Sequence, residues 1–215
     1  MMRKILTFVL PVALAVGASG LQQPAMAETG ATSGAKAERP DVKVGDRWKI
    51  VCTQGREKWE LVRVVGSVGE TQITFTENGK PATMTPELNP LESVRRKDSD
   101  NRRLSFPLEV GKQWEFTNKW LDHTSNPPDA AGSENAKVKV VSYEKVRVPA
   151  GEFDTFALKW NSSWNNSMGG TGMSDYTYWY APAARAIIKS NLRVTWQGGG
   201  NPDALCEVVE LKLQP

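Results

Sequence analysis

The chain has 215 residues, with 27 basic and 24 acidic side chains, one histidine and a formal charge of +3. That balance argues against nucleic-acid binding, which needs clustered cations, and a single histidine, once the two cysteines pair with each other, cannot assemble a zinc site of three or four His/Cys ligands. Tryptophan is the conspicuous excess: all eight lie beyond residue 40.

The chain opens with Met1-Met2-Arg3-Lys4, followed by an almost wholly apolar stretch from Ile5 to Val16 and a small-residue segment ending Ala25-Met26-Ala27. A cationic start, an apolar run and an A-x-A step in that order read as a secretory signal peptide over residues 1–27, cleaved after Ala27. The apolar run is too short to cross about 30 Å of hydrocarbon and carries Pro11, so an anchor is the weaker reading. No cysteine stands at the cleavage point for lipid attachment. The expected product is periplasmic or secreted, carries 25 basic against 24 acidic residues, and has no transmembrane segment.

Residues 28–40, ETGATSGAKAERP, are small, polar and aperiodic, and read as a disordered leader. From residue 41 to 215 the pattern becomes short runs of β-branched and aromatic residues punctuated by Gly, Pro and Asn, the signature of strands and turns in one domain. Alternating strands are expected at Arg47–Cys52, Trp59–Val65 and Gln72–Thr76. Asn78-Gly79 is the strongest hairpin signal, because both central residues of a type I′ turn need positive φ. The charged stretch Arg95–Arg103 reads as a solvated linker, with an anion-binding strip as the sharper alternative.

Val44-Gly45-Asp46-Arg47-Trp48-Lys49-Ile50 matches Val110-Gly111-Lys112-Gln113-Trp114-Glu115-Phe116 at an offset of 66 residues, and Val62–Val65 resembles Val138–Val141 at an offset of 76. This suggests two related β halves, 41–103 and 104–215, with an insertion over Trp120–Glu134. Further strands are expected over 136–148, 153–160, 174–180, 186–189, 192–196 and 205–213. The fold class is therefore all-β: an antiparallel meander forming a strongly curved sheet, half-barrel or barrel.

Cys52 and Cys206 suggest one disulfide in an oxidising compartment, closing a loop of about 155 residues and tying the first strand to the last. Strand alternation argues against it. Cys52 shares an inward face with Trp48 and Ile50, Cys206 a partly outward one with Val208, Glu210 and Lys212. A β-bulge would reconcile the two.

In the second half, Phe106-Pro107-Leu108-x-Val110-Gly111-Lys112-x-Trp114, Val146-x-Val148-Pro149-Ala150-Gly151-x-Phe153-Asp154-x-Phe156 and Tyr178-Trp179-Tyr180-Ala181-Pro182 resemble the TapB-like family of exported bacterial proteins over about residues 104–213. The family's usual glycine after the tyrosine–alanine–proline step is replaced here by Ala183-Ala184-Arg185-Ala186. The resemblance implies an exported β fold, similar to the curved-sheet carriers of lipids and lipoproteins, and no established chemistry.

No catalytic constellation is visible. His123 is the only histidine and sits in a Pro-rich loop, and a paired Cys52 and Cys206 leave no thiol nucleophile. Gly198-Gly199-Gly200 precedes a strand, not a helix, and so makes a turn and not a phosphate cradle. No cofactor or metal is expected. The candidate ligand-binding residues are aromatic: Trp160 and Trp164 at the start of a Gly/Asn loop, then Tyr176, Tyr178 and Tyr180 on one strand face with Trp179 on the other. They form either a platform for a hydrophobic small molecule or lipid, or the filling of a small core. The leading expectation is a non-enzymatic periplasmic binding or carrier protein with a lipid-like ligand in a curved-sheet cavity. The alternative is a cell-envelope structural or protein-interaction module with a filled aromatic core.

Overall fold

A computed structural model describes residues 34–215; the signal segment 1–27 and residues 28–33 lie outside the described residues. Fifteen strands follow in order: β1 (Lys36–Ala37), β2 (Arg47–Gln54), β3 (Glu57–Val68), β4 (Ile73–Glu77), β5 (Lys80–Met84), β6 (Pro90–Ser93), β7 (Arg96–Asp98), β8 (Leu108–Glu109), β9 (Gln113–Asp122), β10 (Ala130–Val148), β11 (Gly151–Asn166), β12 (Thr171–Ala181), β13 (Ala186–Trp196), β14 (Gly199–Gly200) and β15 (Ala204–Lys212). Among the described residues the only regular helix is one 3-10 turn, Pro182–Ala184.

Twelve of these strands close into one antiparallel barrel. The order runs β2-β3-β4-β5-β6-β7-β9-β10-β11-β12-β13-β15 and returns from β15 to β2. Closure satisfies the backbone groups that a half-barrel would leave along two edges. The short β14 extends the end of β13, and β1 pairs with β8 in a separate ribbon. The last residues of the segment expected to be an unstructured leader are thus ordered: Lys36 and Ala37 pair with Glu109 and Leu108, and Ala37 is buried.

Side-chain alternation decides what the barrel holds. On β9, Phe116 and Asn118 are buried while Glu115, Thr117 and Lys119 are exposed; on β10, Glu134, Ala136, Val138 and Val140 are buried while Asn135, Lys137 and Lys139 are exposed. Apolar rings point inward and most charges outward, the reverse of a barrel embedded in lipid; Glu134 is an inward exception.

The internal repeat is real in the backbone. Gly45 and Gly111 both take positive φ, +89° and +94°. Gly45 N–H donates to Val65 C=O while Val65 N–H returns a bond to Asp46 C=O; Gly111 N–H donates to Val140 C=O while Val140 N–H returns one to Lys112 C=O. Matching bulges follow, at Val65/Ser67 and Val140/Ser142. Val65 therefore corresponds to Val140, an offset of 75 and not 76. One residue matters, because it carries every side chain to the opposite face. The extra length of the second copy lies in the β9–β10 hairpin, where Trp120–Asp122 and Ala130–Glu134 are paired strand rather than loop.

Asn78-Gly79 forms the expected hairpin, with φ of 51° and 78° and Glu77 opposite Lys80. The disulfide forms between Cys52 and Cys206, which face each other across β2 and β15. A register shift between Val208 and Glu210 turns the inward face of β15 over and removes the conflict in alternation.

Hairpin connections alternate between the two barrel ends. The long β7–β9 connection seals one end. It sinks Leu104 and Leu108 into the core, and Asn89 holds Leu104 by accepting its N–H at 2.8 Å and donating to its carbonyl at 2.9 Å. The opposite end, formed by the β2–β3, β4–β5, β6–β7, β9–β10, β11–β12 and β13–β15 connections, is called the rim below.

Candidate functional site

The six candidate aromatics fall in three places. Trp160 and Tyr176 are directly opposed across β11 and β12, as hairpin pairing predicts, with ring centroids 4.9 Å apart. Tyr176 stacks on Tyr178 at 5.3 Å, and Phe116 meets Trp160 edge-on at 5.2 Å. Trp160, Tyr178 and Tyr180 are 1%, 4% and 0% exposed and belong to one core cluster with Phe156, Leu158 and Val140. Trp164 stands half-buried at the rim, facing Gly172. Trp179 lies on the outer face, where its indole N–H donates to Glu144 at 2.7 Å.

The core rings are more buried than their polar atoms would prefer. Trp160 Nε1 and the hydroxyls of Tyr178 and Tyr180 are buried without a hydrogen-bond partner among the described residues. Burial pushes the phenols of Tyr178 and Tyr180 far above the ordinary tyrosine range, because the phenolate would have to form in an apolar surround. Tyr176 shifts the same way for the same reason, with Arg103 opposing the shift.

Beside the rings lies a polar network that reading the sequence missed. Arg96 Nε donates to Asp98 at 2.7 Å, and its Nη2 lies 3.8 Å from Glu134; Asn118 Nδ2 also donates to Asp98 at 2.7 Å, and Ser162 Oγ donates to Glu134 at 2.5 Å. Both carboxylates are buried. The stretch Arg95–Arg103 is thus no solvated linker. Arg96–Asp98 is a barrel strand, Asn101 is buried, and at the surface Arg102 pairs with Asp100 and Lys97 with Glu92. The signal was the alternation Arg96/Asp98, masked because the inward residues are charged.

A partly open cavity of about 210 Å³ adjoins this network. Val65, Phe75 and Met84 supply its apolar wall, and Arg63, Arg96 and Arg103 its polar one. Arg63 is neutralised by Glu77 at 2.8 Å. The space is smaller than the roughly 300 Å³ at which small-molecule pockets begin, and ion pairs line part of it.

The rim carries a second arrangement unseen in the sequence. On β9, Trp120 faces Gly132 of β10; on β11, Trp164 faces Gly172 of β12, which is also opposite Trp196 of β13. A Cβ at Gly132 would collide with the Trp120 ring, and one at Gly172 with Trp164 and the Thr195 carbonyl. The glycines are thus seats on which the indoles lie. Open grooves of about 480 and 600 Å³ run past Trp164 and Trp196, and past Trp120. His123, in the β9–β10 turn, is bound to Asp129 at 2.5 Å, as expected of a loop histidine.

These features define a closed, twelve-stranded antiparallel barrel whose interior is filled by rings on the β9–β13 side and open by about 210 Å³ on the β2–β7 side. No sequence-family model matches the chain and no curated protein matches it, so the TapB-like resemblance rests on its motifs alone. Solved structures share the fold. One, described as a "putative lipoprotein" from Parabacteroides distasonis, is 12% identical over 82% of this chain and 99% of its own, with a TM-score of 0.51. A "putative exported protein with YmcC-like fold" from Bacteroides fragilis is 16% identical over 82% and 99%, at 0.44. The "hypothetical lipoprotein YmcC" of Escherichia coli is 9% identical over 79% and 85%, at 0.49. At such identities the likeness is one of fold, and it rests on the first of the three.

Proposed function

We propose that this is a non-enzymatic protein of the bacterial cell envelope that acts through contacts made by its rim, its aromatic cluster serving as a filled structural core. The observation that carries this reading is the packing of Trp160, Tyr178 and Tyr180 against Phe116 and Phe156, which uses up the rings that a carrier would offer to a ligand. The signal-like segment 1–27 supports an envelope location, and so does the description of a fold neighbour as a lipoprotein.

Fractionating cells that export the protein tests the reading. The chain is expected to stay with the envelope, and scrambling the exposed tips at His123–Asp129 and Ser167–Gly170 together is expected to release it. Unchanged retention, with the barrel still folded, would reject contact through the rim.

The amphipathic cavity favours a second reading, a small ligand with one polar end held near Arg103 and an apolar body against Phe75 and Met84. Native mass spectrometry with short-chain monocarboxylates separates the two. Saturable one-to-one uptake supports the second reading, and no uptake at millimolar ligand removes it.

A further inference from the structure

Large exposed apolar residues are unevenly distributed between the two ends of the barrel. Val44, Val68 and Val110 lie toward the sealed end. At or near the rim stand Val94, Leu121, Met168, Met173 and Trp196, with Met168 and Met173 more than half exposed and Trp196 41% exposed. The rim residues are neighbours. Val94 precedes β7, Leu121 is on β9, Met168 joins β11 to β12, Met173 is on β12 and Trp196 on β13, so they follow an arc of adjacent strands. Trp120 and Trp164 lie within the same arc on their glycine seats.

Charge completes the pattern. Arg56, Lys58, Lys80, Arg95 and Lys119 are exposed near the same end and none forms an ion pair among the described residues. The acids there are mostly occupied: Glu77 by Arg63, Glu92 by Lys97, Asp129 by His123, Asp203 by Arg193, while Asp122 accepts from Thr124 N–H and O–H. Glu57, and Asp175 further down β12, are exposed and form no ion pair among the described residues. The rim thus combines an indole-and-methionine arc with spare cations, whereas the barrel wall is polar.

We propose that the rim rests on an anionic lipid surface, with Met168, Met173, Trp196 and Leu121 entering the headgroup boundary and Arg56, Lys58, Lys80, Arg95 and Lys119 facing the lipid phosphates. The proposal rests on the reading that the protein acts through its rim, and names what the rim meets. Indoles favour the membrane–water boundary because they carry a large apolar face and one N–H donor. Cations near an anionic leaflet strengthen binding roughly fivefold each at ordinary ionic strength. A protein partner is the competing occupant, but cations spread over the β2–β9 side of the rim, meeting the apolar arc at Val94/Arg95 and Lys119/Leu121, around an end with little free acid, match a broad lipid surface better than a single epitope.

The test is vesicle flotation of residues 28–215, which contain the whole closed barrel and leave out the apolar run Ile5–Val16. Vesicles of phosphatidylglycerol and phosphatidylcholine should carry the protein up and pure phosphatidylcholine should not, with binding lost in 0.5 M salt. Met173→Ser with Trp196→Ser should weaken binding by about tenfold or more. The triple change Lys58→Gln, Lys80→Gln, Arg95→Gln should weaken it by about two orders of magnitude. Lys139→Gln with Lys212→Gln, on exposed lysines toward the other end, should leave it unchanged, with all variants melting as the parent does. No flotation on anionic vesicles, or flotation indifferent to the rim changes, overturns the proposal. If envelope retention still depends on the rim while vesicles fail to bind, contact through the rim stands and its occupant is a protein.

Discussion

The two halves of the barrel begin with the same motif and end with different interiors. In β9–β15 the inward positions hold Phe116, Trp160, Tyr178 and Tyr180, and the space is full. In β2–β7 the same turn leads to Phe75, Glu77 and Met84, and about 210 Å³ stays open. Val65 and Val140 occupy corresponding sites, one lining the cavity opposite Phe75, the other sealed against Leu158. The shared backbone device, a positive-φ glycine bonded to the next strand ahead of a bulge, sets the curvature. The side chains on the inward face then decide whether that curvature encloses space. A repeat in sequence therefore shows that two halves fold alike without showing that they do the same work.

The halves are joined by the disulfide, so breaking it has the largest expected effect on the comparison. Replacing Cys52 and Cys206 by serine, residues 154 apart, should lower unfolding stability by about 5 kcal/mol in the chain-entropy picture, read from denaturant unfolding. Loosening of both halves together is the expected outcome. If only one half loses hydrogen-exchange protection, the barrel is two units and not one.

The next contrast is between core rings. Trp160→Ala should cost about 3–5 kcal/mol, because the surrounding Phe116, Tyr176 and Tyr178 cannot close the hole. Phe75→Ala, on a wall that already borders open space, should cost less, about 2–3 kcal/mol. Equal losses would mean that the first half is as tightly packed as the second.

A smaller and more selective contrast is to add one methylene at corresponding sites. Val65→Ile should be neutral or stabilise by up to about 1 kcal/mol, since it grows into the cavity. Val140→Ile should destabilise by about 1–3 kcal/mol through overpacking. The signs, more than the sizes, carry the information, and thermal unfolding of the two variants side by side reads them.

The smallest effect concerns the buried phenols. Their affinity for protons is raised in the folded state, so their contribution is complete below the ordinary tyrosine value of about 10 and is lost as pH rises beyond it, where the unfolded chain ionises first. Stability should therefore fall above about pH 10. Tyr178→Phe should make that fall shallower. At neutral pH it should leave stability unchanged or raise it by about 1 kcal/mol, because the hydroxyl removed has no partner. Marked loss at neutral pH would show that the hydroxyl is bonded.

Reading the sequence reached the parts of the fold that local pattern controls. Alternation gave the strands, Asn78-Gly79 the hairpin, and the glycines at 45 and 111 the repeat. The conflict of faces at Cys52 and Cys206 pointed to a bulge, which lies between Val208 and Glu210. Barrel closure was among the expected outcomes, and the Cys52–Cys206 pair already tied the first strand to the last; what local pattern could not decide was half-barrel against barrel, because the pairing of β15 with β2 joins strands more than 140 residues apart in the chain. The polar network stayed hidden for the same reason: Asp98, Asn118, Glu134 and Ser162 come from four strands, and each looks like an ordinary surface residue alone. The candidate aromatics were correctly paired across β11 and β12. Whether they faced a cavity or a filled core depended on what the other half of the barrel placed opposite them.

The central claim is that the aromatic half of the barrel is a filled core and that the protein works from its rim. Native mass spectrometry of the protein gently released from the envelope tests it most directly. The account predicts the mass of the oxidised polypeptide with no retained amphiphile. A reproducible lipid adduct that survives in the rim variants but disappears when the cavity is narrowed by Val65→Ile would contradict it.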